Sequence, residues 1–261
     1  MRRKIFIPKK ITAIVLVMVL IMCFLFGSIV FSDKPETSKY TAEWFESHDL
    51  FPDDNVMYYV IDNPSWFKDN GLENVFAISF QKHGNDYHIG YDIGGIKIGI
   101  YSLSGEYYGY NQVPDKETVY ISISDTDSIP SDSFFVKDKE LLTKMLSTDL
   151  TKGKIKYEGI NKEDDIVTVS GKDYKMTLYI NTQNEECERF ELVDKSSSKE
   201  ESFKCYISNC NRISMPDDYD DSKLSSEMTI GEYSNEVNSF ITGAMYMLAM
   251  QQPIDTTESE E

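Results

Sequence analysis

The chain has 261 residues, with 26 Lys and Arg against 44 Asp and Glu, a formal charge of −18. Such an acidic surplus argues against nucleic acid as a partner, because phosphates are met by Lys and Arg that displace counterions. With 41% hydrophobic residues the chain is not of disordered composition, and 14 Gly and 8 Pro are too few for a collagen-like or linker protein.

Arg2, Arg3, Lys4, Lys9 and Lys10 precede an uncharged apolar run from Ile11 to Phe31. At about 1.5 Å per residue the run matches the roughly 30 Å hydrocarbon core of a bilayer, so it is expected to be a single-pass anchor. A secretory signal has a shorter apolar region of about 7–15 residues; Val30-Phe31-Ser32 nevertheless offers a cleavage site, and removal stays open as the alternative. Cys23 follows Met22 rather than a small residue, which argues against lipidation. The basic flank should stay cytoplasmic and place the remainder outside. Beyond residue 32 there are 21 basic and 44 acidic residues, a net charge of −23. Residues 1–32 are thus read as basic flank and anchor, and 33–72 as a tether with a short amphipathic stretch near Trp44.

Residues 73–216 read as an antiparallel β domain. Tyr87, Ile89, Tyr91 and Ile93 alternate, Gly94-Gly95 supplies a tight hairpin turn, and Ile96, Ile98 and Ile100 continue the pattern. The turn pairs Ile93 with Ile96, Tyr91 with Ile98 and Ile89 with Ile100; on the other face it pairs Asp92 with Lys97 and Gly90 with Gly99. Strands follow at 106–111 and 117–123. A helix is expected at 138–150, with Leu141, Leu142, Met145 and Leu146 on its apolar side and Asp138 as its cap. Strands resume at 154–158 and 166–170. A turn at Gly171-Lys172 then sets Val169 against Tyr174 and Val167 against Met176. Met176, Leu178 and Ile180, then Phe190 and Leu192, then Phe203, Cys205 and Ile207 complete about ten strands, each with one apolar face. A loop near 196–200 pairs Leu192 with Cys205 and Phe190 with Ile207. That register puts Cys187 opposite Cys210, where an oxidising exterior permits a disulfide; two free thiols at frayed strand ends are the alternative.

Residues 217–261 hold an acidic loop, a helix and an acidic tail. Thr229 and Glu232 form a capping box, with Met228 and Tyr233 at the positions of a hydrophobic staple. Tyr233, Val237, Ile241, Ala244 and Leu248 recur at helical spacing, Met245, Met247 and Met250 extend that surface, and Pro253 follows the end. The helix packs on the sheet, covers a ligand groove, or offers a partner protein an adaptable methionine surface.

His48, His83 and His88 lack zinc spacing, and His88 reads as a surface residue opposite Tyr101. No G-x-S-x-G elbow or phosphate-cradling glycine loop is present. Asp217, Asp218, Asp220 and Asp221 lack the glycine and final glutamate of a calcium loop. No cofactor, metal or enzymatic activity is expected.

NDYHIGYDIGGIKIGIYSLSGEYYGYNQ, then KDKELLTKML, then KMTLYINTQNEECERFELVD and ESFKCYISNCNRISMP resemble the lipoprotein-carrier (LolA/LppX-like) superfamily over about residues 73–216. The resemblance implies one strongly curved antiparallel sheet, an incomplete barrel whose apolar concave face is covered by helices and receives lipid chains. It carries over no individual residue, and the long C-terminal helix departs from it. The expected fold class is therefore mainly β (α+β). The expected function is binding of an apolar or lipid-like ligand by Ile89, Tyr91, Ile98, Ile100, Met176, Leu178, Phe190 and Leu192. An interaction or sensory ectodomain with a filled core is the alternative, and an extracytoplasmic enzyme a third.

Overall fold

The computed structural model describes residues 38–63, 75–124, 129–196 and 201–250. The chain divides into two compact units, Met1–Lys39 and Tyr40–Glu261, and the elements below belong to the second. The expected anchor from Ile11 to Phe31, Cys23 and Pro253 lie outside the described residues. Among the described residues no helix is long and apolar enough to cross a membrane.

Helix α1 (Ala42–Ser47) is capped by Thr41, whose Oγ1 accepts from Trp44 N at 3.3 Å. Strands β1 (Val56–Asn63), β2 (Phe76–His83), β3 (Asp86–Ile93), β4 (Ile96–Leu103), β5 (Glu106–Gln112) and β6 (Val119–Ser124) form a meander. Helix α2 (Phe134–Leu146) leads into a second meander: β7 (Lys154–Asn161), β8 (Asp164–Ser170), β9 (Tyr174–Asn181), β10 (Cys187–Asp194) and β11 (Glu201–Asn209). Strand β12 (Leu224–Thr229) and helix α3 (Ile230–Met250) follow. The strands make one open, curved sheet in the order β12-β6-β5-β4-β3-β2-β1-β11-β10-β9-β8-β7.

That order dictates where the coverings go. The second meander returns to pair β11 with β1, so β6 and β7 lie at opposite ends of the sheet. The connection carrying α2 must therefore cross a whole face. The connection from β11 to β12 must cross the sheet as well, and it takes the other face. Two apolar clusters record this division. On the first face Tyr58, Ile78, Tyr91, Ile98, Met176, Leu178 and Phe190 pack beneath Phe135 and Met145 of α2 and Tyr233, Val237 and Ile241 of α3. On the second, Tyr101, Tyr110 and Tyr120 pack against Cys210 and Ile213 of the crossing segment.

The β3–β4 hairpin forms as its sequence requires, with Gly94 and Gly95 at φ of 60° and 91° and the expected pairing throughout. Gly90 and Gly99 face each other because nothing larger fits: a Cβ on Gly90 would lie 2.5 Å from the Tyr110 hydroxyl, and one on Gly99 would lie 2.4 Å from the Ile89 carbonyl oxygen. The α3 capping box closes in both directions, Glu232 N donating to Thr229 Oγ1 at 3.2 Å and Thr229 N donating to Glu232 Oε2 at 2.9 Å. Tyr233 then enters the sheet itself. Its hydroxyl donates to the Gly99 carbonyl at 2.6 Å and accepts from Tyr110 N at 3.0 Å, bridging β4 and β5.

Several expectations are corrected. Among the described residues there are twelve strands rather than about ten. The stretch read as a tether contains β1, which joins the two meanders, and the acidic loop runs into β12, which pairs in parallel with β6. Helix α2 starts four residues early: Ser133, not Asp138, is its N-cap, accepting from Val136 N. The β8–β9 turn is centred on Lys172-Asp173, so Val169 faces Met176 and Val167 faces Leu178. The β10–β11 register is also shifted by two, with Phe190 facing Cys205 and Leu192 facing Phe203. Cys187 and Cys210 are free. They belong to the clusters on opposite faces of the sheet, which keeps their sulfurs apart.

Candidate functional site

The core face is not uniformly filled. Between α2 and strands β1 to β3 lies a cavity of about 1080 Å³, just above the roughly 300–1,000 Å³ usual for ligand sites. Its sheet wall is Tyr58, Val60, Ile78, Phe80, Tyr87 and Ile89; its helical wall is Phe135, Leu141, Leu142, Met145 and Leu146. Phe135 and Met145 are buried and anchor the helix, whereas Leu141, Leu142 and Leu146 remain half-buried over the space. Lys82, Lys139, Glu140 and Lys144 stand at the rim with Asp53.

Helix α2 is fixed at both ends. At its start, Phe134 N donates to Asn238 Oδ1 of α3 at 3.1 Å. Near its end, Lys144 forms an ion pair with Asp194 at the end of β10. Burial alone would raise the Asp194 carboxyl, but hydrogen bonds from Lys144 and Ser196 outweigh it and hold the group below its ordinary value. The α2 roof is thus tied to α3 at one end and to β10 at the other, with space beneath its middle.

One polar group interrupts the apolar lining. Asp138, one turn into α2, lines the cavity, and the Tyr91 hydroxyl lies beside it. Tyr91 is 1% exposed, and its hydroxyl and the Asp138 carboxyl, both closed off from solvent, interact with each other. Burial pushes the Asp138 carboxyl up to about 7, against the pull of Tyr91 and Lys137. Burial likewise drives the Tyr91 hydroxyl far above its ordinary value, helped by the charge of Asp138.

The eight residues expected to meet a ligand all lie on the core face, but only Ile89 lines the cavity. Tyr91, Ile98, Ile100, Met176, Leu178, Phe190 and Leu192 are packed to 3% exposure or less. They are the floor and flanks of the core under α1, α2 and α3. Of the strand residues that do line the space, those of β1 fall in the stretch read as a tether and those of β2 in the β domain. A period-two signal at Val56, Tyr58 and Val60 marks those of β1.

His88 is buried rather than exposed. It stacks on Tyr101, and its Nε2 lies 2.9 Å from the Tyr110 hydroxyl; burial lowers it to about 4, so the ring is neutral near pH 7. The acidic loop serves the second-face packing: Asp218 accepts from the Tyr120 hydroxyl at 2.8 Å and Asp221 from the Tyr219 hydroxyl at 2.7 Å. Among the described residues no group of His, Cys, Asp and Glu is arranged to hold a metal ion.

No family model matches the chain, and no curated protein matches it. Among solved structures it is similar to a crystal structure described as an outer membrane lipoprotein-sorting protein domain from Vibrio parahaemolyticus. The identity is 11%, covering 68% of this chain and 94% of that one, with a TM-score of 0.22. A likeness at that score carries no argument about function, which must rest on the cavity itself.

Proposed function

We propose that this chain binds an apolar, lipid-like ligand, without catalysing a reaction on it, in the cavity between α2 and strands β1 to β3. The observation that carries the reading is a space of about 1080 Å³ walled mainly by aliphatic and aromatic side chains, with half-buried leucines on its roof. Each methylene transferred there from water is worth about 0.8 kcal/mol, so an acyl chain needs no specific polar contact to be held. The run from Ile11 to Phe31, with its one-sided basic flank, supports an anchored protein whose binding domain lies outside the cytoplasm.

The test is to purify the full chain from its membrane fraction and analyse an organic extract for stoichiometric lipid, with protease added to intact cells to establish which side the domain occupies. Co-purified lipid and external cleavage support the reading. No lipid and no uptake of an added apolar dye would replace it with the second reading, an interaction ectodomain. That alternative is favoured by the outer side of α3, where Tyr246, Met247 and Met250 are 54–68% exposed.

A further inference from the structure

We infer that the cavity prefers amphiphiles with an anionic head, met at its mouth by the ammonium groups of Lys82 and Lys139; this rests on the lipid-like reading above and specifies its chemistry. Each lysine takes a place in a row of otherwise apolar side chains that faces the space. On β2 the core-face row runs Phe76, Ile78, Phe80, Lys82, and the pairing sets Lys82 between Val56 of β1 and Tyr87 of β3. On α2, Phe135, Lys139, Leu142 and Leu146 recur at helical spacing, and all four line the cavity. A lysine in such a row lays its stem along the apolar wall and carries its charge to the wet end. Lys82 does so from the sheet wall and Lys139 from the helical wall.

Both ammonium groups have protons to give. Lys82 Nζ donates to the Asp53 carbonyl at 3.0 Å, which holds it at the mouth and leaves the rest of its donors. Lys139 forms no ion pair among the described residues. Lys144, the other lysine of the lining, is committed to Asp194. The nearby acids do not answer these two charges. Asp54, beside Lys82, spends its Oδ1 on Asn55 N at 2.9 Å and Gly84 N at 2.8 Å. Asp53 and Glu140 are exposed and stand outside both rows, and Asp138 is closed off against Tyr91. Beyond residue 32 acids outnumber bases 44 to 21, yet the charge that enters these two rows is positive both times. A carboxylate or phosphate head accepts from both lysines in charge-assisted hydrogen bonds, which are about twice as strong as neutral ones. A hydroxyl head gains less, and an ammonium head meets two like charges.

The experiment uses the full chain in an uncharged amphipol. Dodecanoate, dodecyl phosphate, dodecanol and dodecyltrimethylammonium each compete against a bound apolar dye near neutral pH, in wild type, Lys82→Met, Lys139→Met and Lys139→Glu. Both anions are expected to displace dye at about tenfold lower concentration than dodecanol in wild type. Met keeps an unbranched apolar stem without the charge, so the preference for dodecanoate over dodecanol should fall about threefold in each Met variant and vanish in Lys139→Glu. Lys139 is exposed on α2, so its variants read the charge even where Lys82→Met does not fold. Dodecanol or the cation binding as tightly as the anions in wild type, or a preference unmoved in the Lys139 variants, overturns the inference and leaves lipid-like binding intact. Failure of every probe to displace dye, or of dye to bind, overturns the lipid-like reading and the inference with it.

Discussion

Replacing Asp138 by Asn should reshape the pH dependence of stability. The carboxyl is moved from its ordinary 3.8 to about 7 by burial beneath α2. A raised carboxyl favours the folded state fully only below its unfolded pKa. As pH climbs from about 4 towards 7 the unfolded chain ionises first, and stability is lost over that window; above 7 the loss is complete. At about 1.36 kcal/mol per pKa unit the full loss is about 4 kcal/mol, and water entering the open side of the cavity reduces it to about 2–4 kcal/mol. Asn cannot ionise and escapes it. His88 titrates in an overlapping window with the opposite sign, because its lowered pKa makes the fold less stable as pH falls from 6.5 towards 4. It is present in both proteins, so it cancels in the difference. Urea unfolding of wild type and Asp138→Asn at pH 4 and pH 8 should therefore show Asn gaining about 2–4 kcal/mol on Asp between the two. A difference that does not change with pH would refute the placement of this carboxyl in a poorly solvated cavity.

Tyr233→Phe should cost about 1–3 kcal/mol in urea unfolding, because the Gly99 carbonyl and Tyr110 N lose the hydroxyl bridging them; an unchanged midpoint contradicts that role. Gly99→Ala should destabilise by more than about 2 kcal/mol, since its Cβ would lie 2.4 Å from the Ile89 carbonyl and 2.8 Å from the Tyr110 ring, and a thermal melt within a degree of wild type would contradict it. Burial raises the Cys187 thiol to about 12 and the Cys205 thiol higher, so both should resist alkylation at pH 8 until urea is added. A Cys187–Cys210 peptide found by mass spectrometry without reductant would restore the disulfide and overturn the β10–β11 register.

What could be read ahead of the structure depended on whether a residue's reason for being there was local. Gly94-Gly95 turns the chain through its own positive φ, so the β3–β4 register followed from it. Gly171 looked like the same signal and was not. It is glycine because the Tyr174 ring lies 2.1 Å from where its Cβ would be, while the turn is made by the next two residues. The α3 capping box was legible because its two hydrogen bonds span three residues. Strand β12 was not, because its partner is β6, about a hundred residues away, in parallel. The cavity was the least legible feature. Ile89 borders it and Ile100, its partner across the hairpin, is 3% exposed. The two differ only in what lies above them, and that is settled by the path of α2 between opposite ends of the sheet.

If the space under α2 holds an apolar ligand, filling that space should displace it. Leu142 lies half-buried on the roof, where Trp adds bulk towards the cavity without touching the packed core beneath α3. Native mass spectrometry of the full chain, released gently from its membrane, should show wild type carrying a lipid-mass adduct and Leu142→Trp, equally folded by circular dichroism, carrying much less. An adduct of the same mass and occupancy in both proteins would contradict the account.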